Sequence, residues 1–456
     1  MKNYLFSSLL SSIPLLLLSK EPTKPNIIYI LADDLGYGDL SCYGQQKFTT
    51  PTIDKMSQEG IRFTSHYAGS TVSAPSRCAL MTGKHTGHCQ VRGNHGLIEG
   101  PIHLTNQDTT IAQMLKYAGY TTGGTGKWGL GEEDTEGAPT LRGFDEWFGF
   151  LDQRDAHSHY APRLIKGNNA FLVKENADGN RGKYVQDLFT DFSLDFINRN
   201  KNNPFFLYVA YTLPHAELLI PDSLRNEFEG KYPETAFPGA HYAAQAYPKA
   251  AYAAMVKKLD SDIGLLLQQL KNLGIDSNTI VLFSSDNGPH LEGGAAPDFF
   301  NSNGPFSGYK RDLTDGGIRV PFIARYPGVI PANKTTDLIS AFWDIKPTIA
   351  DIATIKCSST DGISIFSEII GDTTHQMHHE YLYWEFHEKG SRLAMLKDNY
   401  KAIWNISNNI FELYYQPTDI EEKTNLSEQM PEKVSEFKTL MNQARTQHEL
   451  WTIEIK

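Results

Sequence analysis

The chain has 456 residues, and 53 acidic against 42 basic side chains give it a formal net charge of −11 at pH 7. Its hydrophobic fraction of 40% and charged fraction of 21% are typical of a soluble globular protein, and they disfavour disorder, collagen-like order and coiled coil. The acidic excess argues against a nucleic-acid binder, which needs a basic face, but it leaves room for a small anionic substrate. The length predicts two domains, or one large domain with an appendage.

The first residues have the composition of a secretory signal. Lys2 precedes an apolar run over 4–18, which Pro14 interrupts and a polar stretch follows. A run of this length is too short to cross a bilayer comfortably, and a buried first helix is the alternative. We expect residues 1–19 to be a signal peptide, with no stable membrane span and an exported mature chain, periplasmic or extracellular.

After this segment, apolar runs alternate with amphipathic ones. Strands are predicted over 26–32, 61–67, 120–125, 204–211 and 279–284, and helices over 51–58, 108–118, 186–198 and 250–272. The stretch 214–248 is rich in proline and tyrosine and predicts a long loop. Strands and helices in this alternation favour an α/β fold with a doubly wound, mostly parallel sheet.

From about residue 371 the pattern changes to short aromatic strands over 381–386, 392–396, 400–404 and 410–415, followed by a helix over 432–447. This order is typical of a small antiparallel sheet covered by one helix. The predicted organisation is a catalytic domain over 20–370 and a C-terminal α+β subdomain over 371–456.

Oxygen-bearing side chains follow two of the predicted buried strands. Asp33 and Asp34 come after the strand over 26–32, and Asp286 and Asn287 come after the strand over 279–284. Each pair alone is more simply explained as a helix cap or a turn. Because ligands gather at the carboxyl ends of parallel strands, the two pairs together predict a site for a hard cation such as calcium or magnesium.

A short predicted helix carries a third polar group. Pro75 in its first turn and Gly83 at its end frame the helix. Ser73 then lies at or just before the N-terminus, where free N–H groups favour an anion, and Arg77 lies one turn further on. A plain capping serine is the alternative explanation.

Together these segments resemble the type I, formylglycine-dependent sulfatases in their serine variant. The segment 73–77, Ser-Ala-Pro-Ser-Arg, with the continuation Leu-Met-Thr-Gly over 80–83, resembles the formylglycine signature. The segment 119–128 resembles the second signature of that family, and 308–321 resembles its lysine-bearing segment. The resemblance extends from about residue 25 to 426 and places five motifs in family order.

The resemblance implies a role for each matching residue. Ser73 is the position oxidised to formylglycine, whose hydrate attacks sulfur beside one Ca²⁺ ion. The implied metal ligands are Asp33, Asp34, Ser73, Asp286 and Asn287. Arg77 and Lys127 neutralise the sulfate oxygens or stabilise the hydrate. Lys310 holds the sulfate, and His215 protonates the leaving alcohol. A serine at position 73 implies an anaerobic, radical-type maturing enzyme as partner and a bacterial source.

The chain also departs from the family pattern. Gly129 stands where the family carries a histidine that helps to expel sulfate, so we expect a histidine from 157–159 to take this role. Ser307 replaces a frequent arginine, and Asp315 replaces a glutamate.

Other segments resemble the N-acetylgalactosamine and galactose sulfatase branch. On that basis His157, His290 and Arg92 are predicted to contact a sulfated glycan, and the segment 384–387 is predicted to form a pocket wall. Ordinary polar loop residues are the alternative explanation for these three side chains.

Three functions remain open at this point. The first is an exported sulfatase that removes a sulfate ester from a galacto-configured sugar of a polysaccharide. The second is a phosphomonoesterase or phosphodiesterase of the same superfamily that uses unmodified Ser73. The third is a non-catalytic protein that binds sulfated glycans. This alternative is considered because Gly129 replaces a histidine of the family.

Overall fold

A computed structural model describes residues 24–97 and 102–453. The predicted signal peptide over 1–19 lies outside these residues. The strands are β1 (Asn26–Ala32), β2 (Ile61–Tyr67), β3 (Thr121–Lys127), β4 (Glu146–Phe150), β5 (Arg163–Lys166), β6 (Asn169–Leu172), β7 (Phe205–Ala210), β8 (Thr279–Ser285), β9 (Arg319–Arg325), β10 (Lys334–Thr336), β11 (Ser340–Ala341), β12 (Leu382–Phe386), β13 (Arg392–Lys397), β14 (Tyr400–Asn405) and β15 (Ile410–Tyr415). The α-helices are α1 (Pro51–Gln58), α2 (Ser73–Thr82), α3 (Ile111–Tyr117), α4 (Val185–Asn200), α5 (Asp222–Arg225), α6 (Pro248–Asn272), α7 (Pro297–Phe300), α8 (Asp315–Ile318), α9 (Ile345–Ile352), α10 (Phe366–Ile369) and α11 (Pro431–Gln443).

The large sheet has the strand order β10-β2-β9-β8-β1-β7-β3-β4-β5-β6, and β11 also pairs with β2. Its five central strands, from β8 to β4, run parallel. Antiparallel pairs flank this centre, with β9 between β8 and β2 on one side and the β5–β6 hairpin on the other. The predicted doubly wound, mostly parallel sheet is confirmed.

Both faces of this sheet are covered, as the continuous apolar strand β1 requires. Alternate residues of β1 enter two separate cores: Tyr29 lies in the core under α2, α3 and α9, whereas Ile30 lies in the core under α1, α4 and α6. Since β1 is buried along its whole length, it holds its carboxyl end in a fixed position at the centre of the sheet.

The C-terminal strands form the predicted antiparallel sheet in the order β12-β13-β14-β15. One face, with Trp384, joins the core of the large sheet. The other face packs on Phe437 and Met441 of α11. The small sheet is therefore sandwiched between the catalytic part of the chain and its own helix.

Several boundaries differ from the sequence-based prediction. The helix expected over 108–118 begins only at Ile111, because Thr110 caps it by accepting from the backbone N–H of Gln113 while Asp108 bonds to Thr105. Strands β4, β5, β6, β9, β10 and β11 were not predicted, since they are short or carry mixed polarity. Among the described residues, no helix is both long and apolar enough to cross a membrane.

Candidate active site

The carboxyl ends of β1 and β8 bring four oxygen-bearing side chains together. The strands are parallel neighbours with Ala32 opposite Ser285, so the residues that follow them meet at one edge. The backbone N–H of Asp34 donates to Asp286 Oδ1 at 3.0 Å, and Asn287 Nδ2 donates to Asp34 Oδ1 at 2.7 Å. Asp33 and these three residues are fully buried. The predicted clustering of the two pairs is confirmed.

Helix α2 presents Ser73 and Arg77 to this cluster. It begins at Ser73, after the extended residue Val72, and ends at Gly83, whose φ of 71° lies in the left-handed region. Ser73 Oγ donates to Asp33 Oδ1 at 3.2 Å. The Arg77 guanidinium donates to Asp286 Oδ2 at 2.8 Å through Nη2 and to the carbonyl of Lys127 at 2.8 Å through Nη1. Ser73 therefore lies beside the carboxylates with its helix anchored one turn later.

Lys127, the last residue of β3, lies on the other side of the serine. Its Nζ is 2.8 Å from Asp33 Oδ2 and 3.1 Å from Ser73 Oγ. The glycines of β3 make room for neighbouring rings, because a Cβ at Gly123 would lie 2.5 Å from the ring of Phe196. This close packing fixes the strand that delivers Lys127.

Lys310 and His215 close the site from the opposite side. Lys310 Nζ donates to Asp34 Oδ2 at 2.9 Å and lies 3.2 Å from His215 Nε2. His215 follows β7 and lies with its Nε2 3.4 Å from Asp34 Oδ2. The five residues predicted as catalytic, Ser73, Arg77, Lys127, His215 and Lys310, thus surround one carboxylate cluster.

The charges of this buried cluster are nearly balanced. Burial alone raises the pKa of Asp33, but Lys127 and the other nearby cations outweigh it and hold the pKa well below its usual value. Burial and the repulsion of Asp33 raise the pKa of Asp286 to about 6, in spite of Arg77. Burial and the positive charge of Lys310 lower the pKa of His215 well below its usual value, so its imidazole is neutral at pH 7.

The cluster fits a hard divalent cation. Asn287 Oδ1 is buried and has no hydrogen-bond partner among the described residues. Leaving such an oxygen unsatisfied costs about 1–3 kcal/mol, which a cation bound to it would relieve. Burial, followed by the repulsion of neighbouring carboxylates, raises the pKa of Asp286, and a bound cation would offset both effects. Asp33, Asp34, Asp286 and Asn287 supply carboxylate and amide oxygens, the donor set that Ca²⁺ prefers.

The structure explains how Gly129 fits this chain. Its φ of 74° lies in the left-handed region, and a Cβ there would lie 1.9 Å from Gln153 Nε2. Gln153 fills the space that a side chain at 129 would need and donates weakly to the Gly129 carbonyl at 3.4 Å. A histidine at this position would adopt a strained backbone and would require the Gln153 side chain to move.

Of the two histidines expected to replace it, only His157 is available. His159 is fully buried, with Nε2 3.0 Å from the carbonyl of His215 and Nδ1 3.1 Å from Gln186 Nε2. The His157 ring stacks on His215 with centroids 4.9 Å apart, and its nitrogens have no hydrogen-bond partner in the described part of the chain. Burial, together with Lys127 and Lys310, lowers the pKa of His157 to about 4. His157 also lines a cavity of about 550 Å³ with His241 and Tyr242.

Two predicted substrate contacts are corrected by the structure. Arg92 is 1% exposed, and its guanidinium donates to Glu385 Oε1 at 2.8 Å and to the carbonyl of Thr446, so it anchors the C-terminal sheet. His290 is also 1% exposed. Its Nε2 lies 3.2 Å from the carbonyl of Pro214 and its Nδ1 accepts from the N–H of Glu292, so neither nitrogen faces a substrate.

The predicted pocket wall over 384–387 is wrong as well. The side chains of this segment are buried: Trp384 Nε1 donates to the carbonyl of Ala68, and His387 stacks on Trp451. Ser307 donates to the carbonyl of Glu421, and Asp315 is buried against Lys401. Both residues that differ from the family pattern therefore make structural contacts in this chain. These residues join the C-terminal part to the catalytic part.

Sequence reasoning missed Glu292, which lies inside the site. Its Oε2 accepts from Lys310 Nζ at 2.9 Å, and its Oε1 accepts from Arg311 Nη1 at 2.6 Å. It also missed Gln153 and Tyr242. The sequence signal for Glu292 was its place two residues after His290, in the loop that follows the Asp286-Asn287 pair.

Comparison with protein-family models identifies the chain. Residues 25–355 match the sulfatase model, and residues 306–448 match a model described as the C-terminal part of N-sulphoglucosamine sulphohydrolase. The chain belongs to the sulfatase family. It is therefore a sulfuric ester hydrolase of the type I fold, which confirms the resemblance found in the sequence.

Two relatives of this sulfatase are named as N-acetylgalactosamine sulfatases. It is 30% identical to the N-acetylgalactosamine-6-sulfatase of Mus musculus, over 89% of this chain and 76% of the mouse protein. It is 29% identical to the N-acetylgalactosamine-6-O-sulfatase of Bacteroides thetaiotaomicron, over 93% of both chains. The solved structure of Ps i-CgsB in complex with k-i-k-neocarrahexaose is 28% identical, with a TM-score of 0.78 over 94% of this chain and 95% of that chain.

Proposed function

We propose that this sulfatase removes a sulfate ester from a galacto-configured sugar of a sulfated polysaccharide, using formylglycine made from Ser73 and one bound Ca²⁺ ion. One observation carries the proposal: Ser73 Oγ lies between Asp33 Oδ1 at 3.2 Å and Lys127 Nζ at 3.1 Å. A nucleophile in this place attacks an anionic ester whose charge the nearby cations offset. The relatives named for N-acetylgalactosamine sulfate support the choice of sugar.

Two groups supply chemistry that the side chains themselves lack. A calcium ion at Asp33, Asp34, Asp286 and Asn287 would withdraw electron density from the oxygens of residue 73 and of the sulfate. Formylglycine, as its hydrate, supplies a hydroxyl that ionises more readily than that of serine.

The side chains of the site offset the sulfate charge and supply the proton for the leaving alcohol. Arg77, Lys127 and Lys310 offset the charge of the sulfate oxygens. His215 Nδ1 contacts the carbonyl of Ala216, which only accepts, so we assign the ring hydrogen to Nδ1 and leave Nε2 to accept from Lys310. The proton for the leaving alcohol therefore comes from Lys310, directly or through His215 Nε2.

His157 takes the place of the family histidine that is absent at position 129. Its neutral ring and unpaired nitrogens suit it to accept a proton from the side chain of residue 73. Its stacking on His215 holds it beside the reacting groups.

Export and maturation complete the proposal. The composition of residues 1–19 supports secretion to the periplasm or the outside of a bacterial cell. A serine at position 73 requires a radical-type anaerobic maturing enzyme as partner, and oxidation has to accompany or precede export.

The mass of the tryptic peptide 63–77 tests this proposal. The protein is produced anaerobically with a radical maturing enzyme, and a sample from cells without that enzyme is the control. Oxidation of Ser73 removes two hydrogens, so we expect a peptide about 2 Da lighter than the control. A peptide that keeps the serine mass in both samples overturns the formylglycine mechanism, and phosphate esters then become the substrates to test.

A further inference from the structure

Glu292 adds a negative charge to a site that has to bind an anion. Its carboxylate bridges Lys310 at 2.9 Å and Arg311 at 2.6 Å, and its side chain is 19% exposed. Carboxylate oxygens of Glu292 and Asp34 lie within 4.8 Å of each other. Burial alone raises the pKa of Glu292, but Lys310 and His290 outweigh it and lower the pKa, so the carboxylate is ionised.

A second metal ion is not the reason for this arrangement. The Lys310 ammonium already lies between the Asp34 and Glu292 carboxylates, with 2.9 Å to each. His290, the third member of that cluster, uses both ring nitrogens on backbone groups. Glu292 therefore offsets the positive charge of Lys310, one of the two cations that its carboxylate contacts.

The substrate and the product of a sulfatase differ in charge. A sulfate monoester carries one negative charge, whereas inorganic sulfate carries two, and a phosphate monoester carries about 1.5 to 2 near pH 7. Because Coulomb energy is proportional to the ligand charge, one fixed carboxylate opposes a dianion about twice as strongly as a monoanion. Removing that carboxylate therefore favours the dianion.

We propose that Glu292 sets the charge balance of the sulfate-binding site, so that the monoanionic ester binds in preference to inorganic sulfate and phosphate. This specificity role rests on the proposed function, because it takes the Lys310 side of the cluster as the sulfate-binding side. Through it, Glu292 speeds the release of the dianionic product and limits the binding of phosphate esters.

The test compares two single-charge variants in the full-length, calcium-loaded protein. Glu292→Gln removes the charge next to Lys310 and keeps the shape of the side chain. Glu388→Gln is the matched control, because Glu388 pairs with Arg311 Nε at 2.9 Å, is 18% exposed and, in the described part of the chain, makes no hydrogen bond or ion pair with Lys310. Isothermal titration with inorganic sulfate at low ionic strength gives each dissociation constant without any need for turnover.

We expect Glu292→Gln to bind inorganic sulfate about tenfold more tightly, which corresponds to about 1.4 kcal/mol. Glu388→Gln should change this affinity by less than about threefold, since its charge lies further from the site. The KM of Glu292→Gln for a sulfate ester should fall by a smaller factor than the dissociation constant of sulfate. Inhibition of ester hydrolysis by inorganic sulfate should strengthen in parallel.

Three results would overturn the proposal. The first is an unchanged or weaker sulfate affinity in Glu292→Gln, and the second is an equal gain in both variants. The third is a higher KM for the ester without tighter sulfate binding, which would make Glu292 a sugar contact. If Glu292→Gln does not fold, Arg311→Gln tests the same idea with the opposite sign, and its sulfate affinity should fall. A wild-type protein that binds sulfate but hydrolyses no sulfate ester contradicts the proposed function alone.

Discussion

Asn287 contributes one oxygen that the protein itself leaves unused. Its Nδ2 donates to Asp34, while its Oδ1 is buried without a partner among the described residues. A buried acceptor of this kind is satisfied by a cation, and binding a cation stabilises the folded state by mass action. The amide is therefore expected to link the affinity for the proposed calcium ion to thermal stability.

Removing calcium is expected to destabilise the wild-type protein and the Asn287→Ala variant to different extents. With calcium at about 100 times its dissociation constant, binding adds about 2.7 kcal/mol, so chelation should lower the Tm of the wild type by several degrees. Differential scanning calorimetry with and without a chelator should give Asn287→Ala less than half of that shift. Asn176→Ala, which removes a buried amide away from the site, should lower the Tm but keep the calcium-dependent shift.

His157 and His159 are predicted to respond differently to replacement by alanine. His157→Ala should lower kcat at least about 100-fold with a nearly unchanged Tm, because its ring makes no hydrogen bond in the described chain and is the proposed proton acceptor. His159→Ala should cost about 2–4 kcal/mol of stability, because it empties a buried, hydrogen-bonded position. Kinetics on an aryl sulfate and urea denaturation measure the two effects. Wild-type turnover in His157→Ala would exclude this histidine from catalysis.

Site residues at the ends of predicted strands and helices could be located from the sequence pattern, whereas others were found only through the family resemblance. Asp33 and Ser73 stand next to regular elements whose ends the pattern locates, and the structure brings them together. Lys127 and Lys310 came from the resemblance to family motifs, and the structure places them at the same cluster. Arg92 and His290 were misassigned because their partners, Glu385 and the carbonyl of Pro214, lie far away in sequence. Nothing local distinguishes a histidine that holds a backbone turn from one that faces a substrate.

At the scale of elements, the close packing of β3 limits which side chains this strand can carry next to Lys127. Its residues Gly123 to Gly126 lie against β7, β4 and the rings of Phe196 and Trp147, and Lys127 follows directly. A strand with so little side chain is held mainly by its backbone pairing with β7 and β4, and the hydroxyls of Thr122 and Thr125 add hydrogen bonds to backbone carbonyls. The sequence pattern predicted a strand here, but it could not explain the glycines. They are needed because other elements of the fold pack closely against this strand.

Two glycine substitutions separate close packing from backbone strain. Gly126 has a φ of 92°, and a Cβ there would lie 1.8 Å from the carbonyl oxygen of Ala210. Gly119 has a similar φ of 84°, but nothing lies within 4 Å of its Cβ position. Gly119→Ala should cost about 1–2 kcal/mol from strain, and Gly126→Ala should cost more than about 4 kcal/mol or prevent folding. Urea denaturation of both variants checks this, and equal losses would contradict the packing argument.

At the scale of the whole molecule, a buried ion group joins the C-terminal sheet to the active-site segment. Lys401 Nζ of β14 lies 2.8 Å from Asp315 Oδ1 and 3.4 Å from Glu422 Oε1, and the three side chains are fully buried. Asp315 begins α8, five residues after Lys310. The sequence predicted a separate C-terminal subdomain, but it contained no signal for this connection.

Breaking this group should destabilise the whole protein. Lys401→Met removes the ammonium from between two buried carboxylates, which leaves Glu422 without this cation and Asp315 with Arg319 alone, and we expect a loss of about 3–5 kcal/mol. Lys423→Met, which removes a lysine that is 70% exposed, should stay within about 0.5 kcal/mol of the wild type. Guanidinium denaturation followed by tryptophan fluorescence measures both values. A small effect of Lys401→Met would mean that the apolar contacts of the C-terminal sheet and its other polar contacts, such as Arg92 with Glu385, hold it without this ion group.

The burial of Ser73 has a consequence for how the protein is made in the cell. Ser73 is 2% exposed, and the segment before it is held by the hydrogen bond from Trp384 to Ala68. A ribosome has to synthesise more than three hundred residues beyond Ser73 before Trp384 emerges and closes this contact. The proposed maturing enzyme would therefore have the period of translation in which to reach Ser73 in an open chain, and folding would end that period.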